Sequence, residues 1–66
     1  MNERDLDVSL SMQRYGGDFA RKLGELLQLA DTENLAKLKL AFSEYYKEYE
    51  DMAVLARERA EAGHET

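Results

Sequence analysis

Cysteine, proline and tryptophan are all missing from this 66-residue chain. Without cysteine there are no disulfides and none of the common structural zinc sites, so two of the usual supports of a very small domain are excluded. Without proline, nothing in the composition forbids long helices. Glycine occurs only four times and histidine once. The longest apolar runs are a few residues, too short for a membrane-spanning helix. The opening Met1-Asn2-Glu3-Arg4-Asp5 is not a basic region leading into an apolar core, and no lipidation motif occurs, so a cytoplasmic protein without membrane contact is expected.

What is present is a chain 44% apolar and 35% charged, with a formal net charge of −5. That balance fits a soluble helical protein and is too apolar for a disordered tail. The negative sign argues against a sequence-independent hold on nucleic acid or anionic lipid. Nucleic-acid binding through Arg14, Arg21 and Lys22 near the glycine turn is disfavoured by the overall charge. Sixty-six residues allow one domain with little interior, and oligomerisation is the remaining supplement once disulfides and zinc are excluded.

The strongest periodicity lies between Leu35 and Ala56. Leu35, Leu38, Phe42, Tyr45, Tyr49, Met52 and Ala56 are separated by steps of three, four, three, four, three and four, the spacing of one helix face. No glycine or proline interrupts them, so a single amphipathic helix over about 32–60 is predicted. Leu40, Tyr46, Val54 and Leu55 widen its apolar surface beyond one seam. A shorter helix is predicted over about 18–30, with Phe19, Leu23, Leu26, Leu27 and Ala30 on one face and Asp18 as its N-cap. Gly24 inside it costs up to about 1 kcal/mol relative to alanine, a cost that close approach of a neighbouring helix would offset. Gly16-Gly17 reads as a turn adopting backbone conformations that side chains resist. Asp31 or Thr32 caps the long helix, and the short connection makes the two helices a hairpin.

Residues 1–16 are harder to place. Leu6, Val8, Leu10 and Met12 alternate with Asp7, Ser9 and Ser11, the period of a half-buried strand, yet no second strand is available to pair with it. The alternatives are pairing with the same segment of another subunit, or a short helix or irregular arm packing across the longer helices. Residues 61–66 are expected to fray after Gly63. The fold class expected is therefore all-α: one small domain over 1–66, a helical hairpin with a short N-terminal helix or arm, self-associating as a homodimer or higher oligomer. The expected interface is Leu35, Leu38, Leu40, Phe42, Tyr45, Tyr49, Met52 and Leu55 on the long helix.

Catalytic chemistry finds little support. His64 lies beyond Gly63 at the chain end, and its Glu-x-x-His spacing with Glu61 lacks the further inward carboxylates that a di-metal site needs. Ser9, Ser11 and Ser43 have no neighbouring histidine or nucleophile elbow, and Gly16-Gly17 lacks the Gly-Lys-Ser/Thr of a phosphate loop. No catalytic residue, metal or cofactor is expected. Glu44, Glu48, Asp51 and Glu58 form an acidic flank, readable as a solvated face or as a surface that imitates nucleic-acid phosphates toward a basic partner. With Tyr15 and Tyr46 they are the candidate partner-binding residues, since tyrosines anchor interfaces by burying large area with the hydroxyl at a wet rim.

Arg14-Tyr15-Gly16-Gly17, followed by Phe19, Leu23, Ala30-Asp31, Asn34, Ala41-Phe42, Tyr45, Tyr49 and Met52, resembles a group of short bacteriophage- and prophage-encoded proteins. The resemblance spans about Ser9 to Ala53, and the Tyr-Gly-Gly turn is its most specific part. It implies a phage origin and, the group being largely uncharacterised, carries no catalytic residues over to this chain. Small phage proteins of this kind often bind host proteins, including components of antiviral defence, so a host protein partner in the host cytoplasm is the expectation. The alternative is a structural or assembly accessory acting through helix-mediated oligomerisation.

Overall fold

A computed structural model describes residues 1–64, the side chain of His64 excepted, and all four elements are helices. They are α1 (Glu3–Tyr15), α2 (Asp18–Leu29), α3 (Thr32–Ala41) and α4 (Ser43–His64). No strand occurs among the described residues, and no helix there is long and apolar enough to cross a membrane.

The segment that alternates in sequence is the helix α1. Its buried face is Asp5, Val8, Ser9 and Met12, spaced i, i+3, i+4, i+7, while Leu6 and Leu10 are exposed. Two polar residues thus occupy inward positions and two leucines outward ones, so hydropathy alone reports the wrong period. Asn2 starts the helix: its side chain accepts from the Asp5 backbone N–H at 2.7 Å, satisfying a donor of the first turn. Val8 and Ser9 are fully buried and Met12 nearly so. The core is organised around α1, which packs against both α2 and α4, and not around the 35–56 stripe.

α2 follows the predicted span, but Gly17 stands at its N-cap without a side-chain hydrogen bond, and Asp18 is the first helical residue. Neither Gly16 nor Gly17 has positive φ. Gly16 is needed for space, because a Cβ there would meet Ala20 Cβ at 2.6 Å and would also crowd the Met12 carbonyl. Gly24 is where α1 and α2 press together: a Cβ would come within 2.6 Å of the Ser9 carbonyl oxygen and 2.9 Å of Met12 Cβ. The Ser9 hydroxyl donates to the Gly24 carbonyl at 2.6 Å across the same contact. Ala20, Leu23 and Leu27 complete the α2 side of the core.

The single long helix predicted over 32–60 is divided. Phe42 has φ −116° and ψ 40°, outside the helical region, and separates α3 from α4. Asp31 caps α3, its carboxylate accepting from the Asn34 N–H at 2.8 Å. Leu35 and Tyr49 both enter the one core, although in a straight helix they would stand about 21 Å apart along the axis. The bend brings both onto the short α1–α2 pair. The Phe42 ring packs at the bend, with its centroid 5.8 Å from that of Phe19 and 6.4 Å from that of Tyr45. At the other end, α4 runs through Gly63 to His64, where a frayed tail from 61 was expected; residues 65 and 66 lie outside the described part.

Candidate functional site

Of the residues expected to form an oligomer interface, Leu35 and Tyr49 are buried in the chain's own core, and Leu38 and Phe42 are half-buried against it. Leu40 is 81% exposed on α3, and Tyr45, Met52 and Leu55 are exposed on α4. The stripe is therefore partitioned: its buried members hold the monomer together, and its exposed members remain for contacts outside.

Tyr46 is turned inward. Its hydroxyl donates to the Asp5 carboxylate, which also receives Lys39 Nζ at 2.9 Å. This knot joins α1, α3 and α4 at Asp5, a residue only 4% exposed. Burial by itself pushes the Asp5 carboxyl up. The Tyr46 hydroxyl, the Lys39 ammonium and the Asn2 backbone N–H together outweigh it and hold the carboxyl below its ordinary value. The same contact, with burial as the larger cause, pushes the Tyr46 phenol well above its usual range. Lys39 Nζ also lies 5.0 Å from the centroid of the Tyr46 ring. All of these groups are occupied in holding helices together.

Further ion pairs tie α4 to α1: Arg57 reaches Asp7 at 2.7 Å and Glu3 at 2.8 Å, and Arg4 reaches Glu50 at 3.3 Å. These inward-facing charges of α4 are matched. The outward ones are not: Glu44, Glu48 and Glu58 are exposed and make no ion pair among the described residues, while Asp51 is paired with Lys47 at 2.7 Å. Leu55 lies exposed on the same outer side. Tyr15, 59% exposed, stands at the rim of an open groove of about 400 Å³ between the end of α1 and the second half of α4. Ala53, Ala56 and Ala60 line that groove with Leu10, and the Arg14 guanidinium lies 6.0 Å from the Tyr15 ring.

Sequence reasoning missed Asp5 and Lys39 and misplaced Phe19. Asp5 was legible in part: Asn2 three residues before an acidic residue is a helix-start signature, reciprocal in the structure because each residue's backbone N–H favours the other's side chain. Phe19 was assigned to the inner face of α2, whereas it is 54% exposed and stacks at a tilt on Tyr45 with ring centroids 5.2 Å apart. No group of three or more histidine, cysteine or acidic side chains able to hold a metal ion occurs among the described residues. The side chain of His64, and with it the Glu61–His64 pair, lies outside them.

The described residues thus form four helices, and the outer α4 face combines carboxylates that have no ion partner among those residues with exposed apolar side chains. Comparison with known protein families, with curated proteins and with solved structures finds no match.

Proposed function

We propose that this chain is a non-enzymatic interaction protein that binds a host protein and blocks or redirects it. It would act in the host cytoplasm, as expected of the short phage proteins it resembles, with antiviral defence components as the suggested class of target. The observation that carries this reading is the outer face of α4, where Glu44, Glu48 and Glu58 have no ion partner among the described residues while Arg57 and Glu50, on the side toward α1, are paired with it. Unmatched carboxylates beside Leu55 suit a partner surface of basic and apolar character. Affinity capture from host extract, with the wild-type chain and a Glu44→Gln/Glu48→Gln/Glu58→Gln variant in parallel, tests it. A host protein retained by the first and lost from the second is expected; identical retention by both would refute the role of the acidic face.

A second reading, an assembly accessory that self-associates, is favoured by a different observation. Large apolar side chains are exposed on every helix, among them Leu10, Leu26, Leu40 and Leu55. Light scattering at micromolar concentration decides it, a purely monomeric mass being the refuting result.

A further inference from the structure

The apolar stripe from Leu35 to Ala56 keeps its three-four spacing without a fault, yet the chain bends in the middle of it. The break is one residue long: α3 ends at Ala41, α4 begins at Ser43, and Phe42 alone separates them. It contains neither glycine nor proline. Helical bonding reaches it from both sides, since the Phe42 N–H donates to the Leu38 carbonyl at 2.9 Å and the Phe42 carbonyl accepts from the Tyr46 N–H at 2.9 Å. A change of φ and ψ at this one residue would make residues 32–64 a single helix. That helix would also pair backbone groups which two separate helix ends leave without an intrahelical partner.

The four helices divide at the same point. α1 and α2 are pressed together at Gly24, and α3 is joined to them by Leu35 in the core and by Lys39 on Asp5. α4 touches α3 little and is held chiefly by α1, through Tyr46 on Asp5, Glu50 on Arg4 and Arg57 on Asp7. Straightening at Phe42 would carry α4 off its own α1 and leave the other three helices as they are. In a lone chain that would take Tyr49 out of the core and the Tyr46 hydroxyl from buried Asp5. A second copy opened in the same way would supply both.

We propose that two copies of the chain exchange α4: each opens at Phe42 into one straight helix over 32–64, and its α4 packs on α1 of the other copy. The inference rests on the self-association reading above and adds how the copies join. Each contact of the exchanged α4 with α1 is one that the structure already holds, now made between chains, so the dimer needs no new register and no large new apolar surface. The unbroken stripe acquires a reason. On a straight helix Leu35 and Tyr49 lie on one side about 21 Å apart, too far for one small core, and the exchange gives each its own: Leu35 enters the core of its own α1 and α2, Tyr49 that of the other copy. Short hinges favour such exchange. Because Ala41 of one copy adjoins Ser43 of the other as they adjoin within the monomer, the two hinges lie side by side at the two-fold axis. Leu40 and Tyr45, exposed in the monomer, flank that hinge.

The test mixes two variants, Asp7→Arg and Arg57→Asp, unfolds and refolds them together at about 100 μM, and counts the dimers by native mass spectrometry. In an exchanged heterodimer one half sets Asp7 against Arg57 as in wild type, and the other sets the two substituted residues together, again with opposite charges. Either homodimer has like charges at both places. Heterodimer is therefore expected to make up about four-fifths or more of the dimers, against about half by chance. Without exchange the pairs stay within chains, and the chance proportion results. Ser43 is exposed at the first position of α4, where proline is accepted, whereas a continuous helix excludes it. Ser43→Pro is expected to keep the wild-type helix content by circular dichroism and to dimerise at least about a hundred-fold more weakly in sedimentation equilibrium. Ser43→Ala is expected to dimerise about five-fold more tightly. A wild-type chain that stays monomeric at about 100 μM overturns the exchange and the self-association reading together. A wild-type dimer with the chance proportion of heterodimer, or one that Ser43→Pro leaves as tight, overturns the exchange alone.

Discussion

Gly24→Ala separates two ways of reading this chain because they predict opposite signs. From helix propensity alone, alanine in the interior of α2 should stabilise the protein by about 1 kcal/mol. The structure predicts the reverse. The new Cβ would come within 2.6 Å of the Ser9 carbonyl oxygen and 2.9 Å of Met12 Cβ. One of these atoms is backbone, so rotating a side chain cannot relieve the contact. α1 and α2 must separate, an overpacking cost of about 1–3 kcal/mol. Separation also stretches the buried Ser9 hydroxyl bond to the Gly24 carbonyl, 2.6 Å in the native arrangement, a bond contributing about 1 kcal/mol. Set against the propensity gain, the net is a loss of about 1–3 kcal/mol, a large share of the roughly 3–10 kcal/mol available to a domain of this size. The melting temperature should fall by about 4–8 °C for each kcal/mol. Thermal and urea denaturation followed by circular dichroism, at one fixed protein concentration so that association contributes equally, measures it. Gly17→Ala is the matched control, since a Cβ there has nothing within 4 Å, and it should shift stability by less than about 1 kcal/mol. A Gly24→Ala protein as stable as wild type, or more so, would refute the close α1–α2 contact on which the fold is argued.

Other perturbations follow from the same packing. Asp5 has a carboxyl held below its ordinary value in the folded chain, so its stabilising effect is complete above about pH 4 and fades as pH falls through the folded value. Asp5→Asn should therefore cost about 1–3 kcal/mol at pH 7 and progressively less in acid; urea midpoints at pH 7 and pH 2 with an unchanged gap would contradict it. Tyr46 is shifted the other way: its contribution is complete below about pH 10 and declines as pH rises toward the folded value. Tyr46→Phe should be less stable by about 1–2 kcal/mol at neutral pH, and the difference from wild type should narrow above pH 10 in parallel melts. Leu27, 2% exposed in the core, should cost about 2–5 kcal/mol when cut to alanine, enough to leave a substantial unfolded fraction at 37 °C by circular dichroism.

The helical character of residues 18–60 and the position of α2 were decided locally and could be read from the residues themselves, since no proline interrupts them and apolar residues recur at three- and four-residue steps. The cap of the helix that follows was narrowed to Asp31 or Thr32. Asp31 caps α3 because a short carboxylate at that position reaches the Asn34 N–H whatever the rest of the chain does. Gly24 announced a close helix contact, since its propensity cost called for compensation, but the identity of the neighbour, α1, was not in the spacing. The outward Glu44, Glu48 and Glu58 were legible as an acidic flank together with Asp51, which its i,i+4 neighbour Lys47 takes up.

Only the tertiary structure decided which side of α1 faces inward, where the 35–56 stripe breaks and what Tyr46 does. Asp5 and Ser9 can be buried on α1 because Tyr46, Lys39 and the Gly24 carbonyl satisfy them; those partners are 15 to 41 residues away in sequence, so no local window contains the reason. With their places inside taken by Asp5 and Ser9, the helix turns Leu6 and Leu10 outward. Phe42 leaves the helical region although its sequence permits helix, because one short core must receive both Leu35 and Tyr49. Propensity and periodicity determine that the segments from 18 to 60 are helices; the sharing of one small interior among the four helices determines how they end, bend and face.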